Sequence, residues 1–140
     1  MTHTNEACGQ TPRLLLIVRE KRQADVTKIV YKIVDEEEWR EAQRSGCYRG
    51  SADDHRDGFI HLSFAEQVES TAARHFRHRS GLLLIAFAAG TLGEALRLET
   101  SRGGALFPHL YSALPPSAAL WERPMALDGN GIPRVAGDLA

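Results

Sequence analysis

The sequence predicts an α+β domain of small, mostly antiparallel sheets with two principal helices, and three observations carry that reading. "KIVYKIV" at 28–34 is a β-branched and aromatic run with the composition of a strand. "DEEEWREAQRSG" and "SFAEQVESTAARHF" repeat their apolar residues at helical spacing, and each opens on a residue able to cap a helix. Near the C-terminus, "AALWERPMAL" and "IPRV" flank "DGNG", a turn that joins neighbouring strands as a hairpin. The 140 residues suffice for one domain, and a domain of that size buries about two thirds of the surface its unfolded chain exposes.

The elements follow in order. Residues 1–27 open on small polar positions and end in the charged "REKRQADVTK" stretch, so they read as a partly flexible extension to a single domain over 28–140. Within the extension "LLLIV" is too short for a signal-peptide core and is a candidate edge strand. The first strand sets Ile29, Tyr31 and Ile33 on one face and Lys28, Val30 and Lys32 on the other. Asp35 is the expected N-cap of the first helix, Glu38 its capping-box partner and Gly46 its stop, with Trp39 and Ala42 facing inward. "CYRGSADDHRDG" reads as a loop.

In "FIHLS" the period of two puts Phe59, His61 and Ser63 on one face, with Ile60 and Leu62 on the other. Ser63 is read as the N-cap of the next helix with Glu66 as its partner, while Phe64, Val68, Ala72 and Phe76 form the buried stripe. "LLLIAFA" (82–88) is expected to be a central buried strand, and "ALRLET" (95–100) a more exposed one. "GGALFPHLYSALPP" is rich in turn residues, and Pro108 confines its strand to an edge or a loop.

Composition narrows the partners. Seventeen Lys and Arg against 18 Asp and Glu leave a formal charge of −1, which supports neither a nucleic-acid clamp nor a polybasic membrane anchor. Cys8 and Cys47 form no C-x-x-C, and no apolar run approaches a membrane span, so a cytoplasmic protein is the expectation.

"FIHLS" and "FPHLY" share one layout: phenylalanine, spacer, histidine, leucine, hydroxyl residue. Two such segments along one cleft would present two imidazoles, His61 and His109, for proton transfer or for gripping a polar ligand between aromatic walls. The plain alternative is a pair of strand histidines each satisfied by one hydrogen bond. Around them Tyr31, Tyr48 and Tyr111 offer stacking or hydroxyl contacts, Lys32 a charge for a phosphate, Ser63 a ligand-orienting hydroxyl, and Glu99 and Ser101 a carboxylate and a hydroxyl at the cleft edge.

His75 and His78, placed in the last turn of one helix, lack a third ligand, so no metal is expected there. Asp53, Asp54, His55 and Asp57 form an acidic loop with the donors for a hard cation, but such clusters are usually solvated, and they read as turn residues. Neither G-x-G-x-x-G after a strand nor a P-loop occurs, and no G-x-S-x-G elbow surrounds Ser63.

The ordered set "IVYKI", the tryptophan helix, "DGFIHLS", "QVESTAARHF", "LET" and "FPHLY" resembles the family catalogued as domain of unknown function 952, over residues 28–127. More distantly the family resembles the ADP-ribosyltransferase fold group, which includes the transferases that remove an RNA 2′-phosphate with a nicotinamide dinucleotide. That resemblance implies two small sheets split around a cleft, a transferase-type activity and an NAD-like dinucleotide as cofactor. In it Lys32 stands where a histidine or arginine is common, "GFIHLSFAEQVESTAARHF" matches the strand-to-helix unit, and His109 takes the place of the late-strand glutamate, with Glu99 on a neighbouring strand. The function expected is therefore a His-lined cleft for a nucleotide-like or phosphorylated small ligand. The rival is a non-catalytic interaction or nucleotide-sensing module with structural histidines.

Overall fold

The structure is a computed structural model that describes residues 27–139. Cys8, "LLLIV" and nearly all of the expected extension lie outside the described residues. In chain order the elements are β1 (Ile29–Asp35), α1 (Glu36–Ser45), α2 (Ala52–Asp57), β2 (Ile60–His61), α3 (Ala65–His75), β3 (Leu82–Ala88), α4 (Ala89–Leu92), β4 (Leu96–Thr100), β5 (Leu106–Leu110), β6 (Ala119–Leu127) and β7 (Pro133–Val135). They form a mixed α/β architecture of two sheets, one ordered β1-β3-β6-β7 and one ordered β2-β5-β4, with antiparallel pairing throughout. The sheets meet at a bridge in which the Tyr31 and Ser63 backbones exchange hydrogen bonds of 2.8 and 2.9 Å.

Alternation along β1 and β3 builds a core on each face of the larger sheet. Val30, Val34, Leu83, Ile85 and Phe87 enter one core; Tyr31, Ile33, Leu82, Leu84 and Ala86 enter the other. The first core also takes Trp39 from α1 and Ile60, Leu62, Leu96 and Leu110 from the smaller sheet. The smaller sheet thus commits one face to the core, and the opposite face, which carries His61 and His109, is left for the cleft.

Asp35 caps α1 as expected, its carboxylate accepting from the Glu38 N–H at 3.1 Å, and Gly46 ends the helix in the left-handed region at φ 89°. α3 starts one residue later than expected. Both backbone groups of Ser63 are used by the Tyr31 bridge, so Phe64 takes the cap position and Gln67, rather than Glu66, closes the turn by accepting from the Phe64 N–H at 2.9 Å. α3 ends at His75, and His78 lies beyond it at φ 68°, so the two do not share a last helical turn.

"CYRGSADDHRDG" contains the helix α2 and is not wholly loop. β5 is the middle strand of its sheet despite Pro108. The Pro108 carbonyl accepts from Leu62 N at 3.1 Å on the β2 side. In a strand the N and O of one residue point the same way, so the missing donor also faces β2, whose paired ladder stops at His61.

Candidate functional site

The short helix α2 positions the first half of the site. Ser51 Oγ accepts from Asp54 N at 3.3 Å and Asp54 Oδ2 accepts from Ser51 N at 2.9 Å, a reciprocal capping box. A side chain at Gly50, where φ is 111°, would put its Cβ 2.8 Å from the Asp54 Cβ, so only glycine admits the carboxylate here.

Asp54, buried at 3% exposure, gathers the donors around it. Its Oδ1 lies 2.6 Å from His61 Nδ1 and 3.1 Å from the His61 N–H that donates to it, while the Lys32 ammonium sits 2.9 Å from Oδ2. Lys32 also donates to the His61 carbonyl at 3.0 Å. Burial pushes the Asp54 carboxyl up, but the His61 hydrogen bond and the Lys32 charge outweigh it and hold the group far below the usual carboxylate range. The other ring nitrogen of His61, Nε2, lies 2.9 Å from Asp57 Oδ2.

The second half comes from β4 and β5. His109 Nδ1 is 2.8 Å from Glu99 Oε1, and the Tyr111 hydroxyl donates to the same oxygen at 2.7 Å. Burial pushes the His109 imidazole down, against the pull of Glu99, which favours the neutral ring. Donation from Nδ1 to Glu99 assigns the tautomer whose Nε2 carries the lone pair. Burial acts to raise the Glu99 carboxyl, and the hydrogen bonds from His109 and Tyr111 bring it below its ordinary value; burial and the Glu99 charge push the Tyr111 phenol up to about 12.

The halves meet because His61 and His109 are direct cross-strand partners in the β2–β5 register. Their rings stand edge to face with centroids 5.7 Å apart, and Phe59 stacks on His109 at 4.0 Å with planes 21° apart. Both imidazoles line a cleft of about 680 Å³, together with Tyr31, Lys32, Ser63 and Ser101. Ser63 Oγ is 3.3 Å from Thr71 Oγ1 on α3. Aromatic rings of Phe59, Phe76 and Phe107 give the cleft apolar walls, and Arg56 and Arg74 add positive charge.

Three candidates stand off the cleft lining. Glu99 and Tyr111 lie behind His109 as its hydrogen-bond support. Tyr48 packs against Trp39 in the core with ring centroids 5.8 Å apart; its buried hydroxyl has no hydrogen-bond partner among the described residues, and burial drives the phenol far up. The Lys32 ammonium, although at the cleft, is turned to Asp54 and buried.

Asp54, Asp57 and Phe59 complete the site and were not among the expected residues. The spacing of Ser51 and Asp54, S-x-x-D, is the signal that could have found α2 and with it Asp54. The acidic cluster read as solvated turn residues is used differently: Asp54 is buried on His61 and Lys32, while Asp53 and Asp57 clasp Arg56. No group of three or more His, Cys, Asp or Glu among the described residues is arranged to hold a metal ion.

Fold and site together define a class: an α+β protein of two antiparallel sheets with a carboxylate-anchored histidine pair in a cleft. Within that class the chain belongs to the family described as "Protein of unknown function (DUF952)", whose match covers residues 33–122. Its structure is similar to the crystal structure of protein CC0527 from Caulobacter crescentus, 48% identical, with a TM-score of 0.74 over 76% of this chain and 93% of that one. The solution structure of CC0527 is similar at a TM-score of 0.69 and 48% identity, over 75% of this chain and 90% of that one. No curated protein matches the chain.

Proposed function

We propose that the cleft is a ligand site for a nucleotide-like or phosphorylated small molecule, at which His61 and His109 exchange protons with the bound ligand. The observation that carries this reading is the pair of imidazoles, each with Nδ1 on a carboxylate and their centroids 5.7 Å apart. A carboxylate on Nδ1 fixes the ring and its tautomer, as in proton-transfer sites of unrelated folds. Neutral His109 is suited to accept a proton, the aromatic walls to hold a base or sugar, and Arg74 and the hydroxyls of Ser63 and Ser101 to meet polar groups. Lys32 acts as a positioning residue through Asp54.

A transferase of the ADP-ribosyl type, with an NAD-like dinucleotide as the ligand, belongs to the same reading. Two features support it: the sheets meet at the Tyr31–Ser63 bridge beside the cleft, and Glu99 sets a negative charge against the histidine that takes the late-strand glutamate position. A cytoplasmic site of action also belongs to this reading and fits the free, buried Cys47.

The test is a thermal-shift screen of nicotinamide dinucleotide, ADP-ribose, nucleotides and phosphorylated sugars against wild type and the His61→Ala, His109→Ala double variant. At least one compound is expected to raise the wild-type midpoint and leave the variant unmoved. Equal stabilisation of both proteins, or of neither, rejects the reading in favour of an interaction module with structural histidines.

A further inference from the structure

We propose that a phosphate group of the ligand seats on His61 Nε2 and the Arg56 guanidinium, in the place that the Asp57 carboxylate takes up. The inference rests on the reading of the cleft as a phosphate-ligand site and names the atoms that receive the anion.

Asp57 is held as a bound oxyanion would be. One oxygen is 2.9 Å from His61 Nε2, and the other accepts from Arg56 Nε at 3.1 Å, with Arg56 Nη2 at 3.5 Å from the first. A guanidinium fork on one side and, when the His61 ring carries both protons, its Nε2–H on the other is a grip that a phosphate fits with two of its oxygens. The rest of the grip stays in place without Asp57. Asp54 holds the far side of the His61 ring at 2.6 Å, and Asp53 accepts from Arg56 Nη1 at 3.0 Å.

The two carboxylates on His61 differ in a way that separates their roles. The Asp54 side chain is 2% exposed and ties down a backbone N–H and the Lys32 ammonium, whereas the Asp57 side chain is 35% exposed and bonds to His61 and Arg56. Asp57 is the last residue of α2 and precedes Gly58, so its side chain can leave without unwinding the helix. Asp54 is therefore the fixed support of the imidazole, and Asp57 an internal competitor that an incoming phosphate displaces.

The competitor makes an unusual prediction, since removing a cleft residue should tighten binding. Inorganic phosphate is titrated into the full chain, following the backbone amide resonances of residues 51–61 by NMR, for wild type, Asp57→Asn, Asp57→Ala, Arg56→Ala and His61→Ala. The Asp57 variants are expected to bind phosphate about tenfold more tightly or better, the scale of one charge-assisted hydrogen bond no longer competing. Arg56→Ala and His61→Ala are expected to lose it. Glu66→Gln, which takes the same charge off the cleft wall at a residue bonded to neither group, is the control and should change affinity less than about twofold.

Unchanged or weaker binding in both Asp57 variants overturns the proposal, as does an equal gain in Glu66→Gln or binding that survives Arg56→Ala. Should Asp57→Ala unfold, Asp57→Asn, which keeps the side-chain volume, decides. A failure here beside a His61- and His109-dependent nucleotide shift rejects only the phosphate seat. Phosphate binding without any nucleotide or phosphosugar shift rejects the broader reading and leaves the seat standing.

Discussion

At the scale of single residues, Asp54 joins the buried Lys32 to the candidate site. It neutralises the buried Lys32 ammonium and accepts from two nitrogens of His61, so its loss leaves one cation without a counter-charge and one imidazole without its orienting group. Asp54→Ala is expected to cost about 3–5 kcal/mol, the scale for stranding a buried charge. The double variant Lys32→Met, Asp54→Leu should cost less than the sum of the two single changes, and a urea-denaturation double-mutant cycle measures that coupling.

The same residues set the direction of the pH dependence. The Asp54 carboxyl titrates in the folded chain below its unfolded value of about 3.9, so its contribution is complete above that value and is lost as pH falls toward the folded one. His109 works in a higher window. Burial lowers its folded value below the unfolded value of about 6.5, so the unfolded chain binds more protons there and stability declines as pH falls from about 6.5. Unfolding free energies at about pH 7.5 and 5.5 should therefore fall more steeply for wild type than for His109→Gln; parallel slopes would remove His109 as the source.

At the scale of elements, α2 carries more than its six residues suggest, since it delivers Asp54 to His61 and Asp57 to the cleft mouth. Its start depends on the Ser51–Asp54 capping box. Ser51→Ala is expected to destabilise the protein by about 1 kcal/mol, and to weaken whatever ligand the thermal-shift screen identifies, because Asp54 loses its fixed approach. Calorimetry with and without that ligand separates the two effects.

Elements also show where sequence patterning suffices. Asp35, Glu38 and Gly46 bound α1 through contacts within four residues, and a local signal of that kind is readable in one dimension. The start of α3 was displaced because the Ser63 backbone is taken by Tyr31, a partner 32 positions away in sequence. Pro108 misleads for a related reason: whether its missing N–H matters depends on which neighbour it faces, and here it faces the end of the β2 ladder.

At the scale of the whole molecule, β3 separates two cores, and its wholly apolar run "LLLIAFA" fills both. Phe87 is fully buried and meets Trp39 edge on at 6.2 Å, which ties α1 to the sheet. Phe87→Ala should cost about 3–5 kcal/mol and lower the urea midpoint without changing m, provided that unfolding stays two-state. A loss below about 1 kcal/mol would mean that the core closes around the gap.

The sequence alone determined the antiparallel α+β class, the strands other than β5, the two long helices and the two histidine segments, because each is written in spacing over a few residues. It also placed His61 on the strand face opposite Ile60 and Leu62, since alternation is a property of the backbone. Tertiary structure alone decided that His61 pairs with His109 across β2 and β5, that Glu99 and Asp54 anchor the two rings, and that Tyr48 stays in the core. Those partners lie between 7 and 48 residues apart and face one another only after the smaller sheet has buried its apolar side. Burial then acts on Asp54 and His109, where hydrogen bonds and neighbouring charges inside the fold shift the balance between charged and neutral forms away from that of the free side chains.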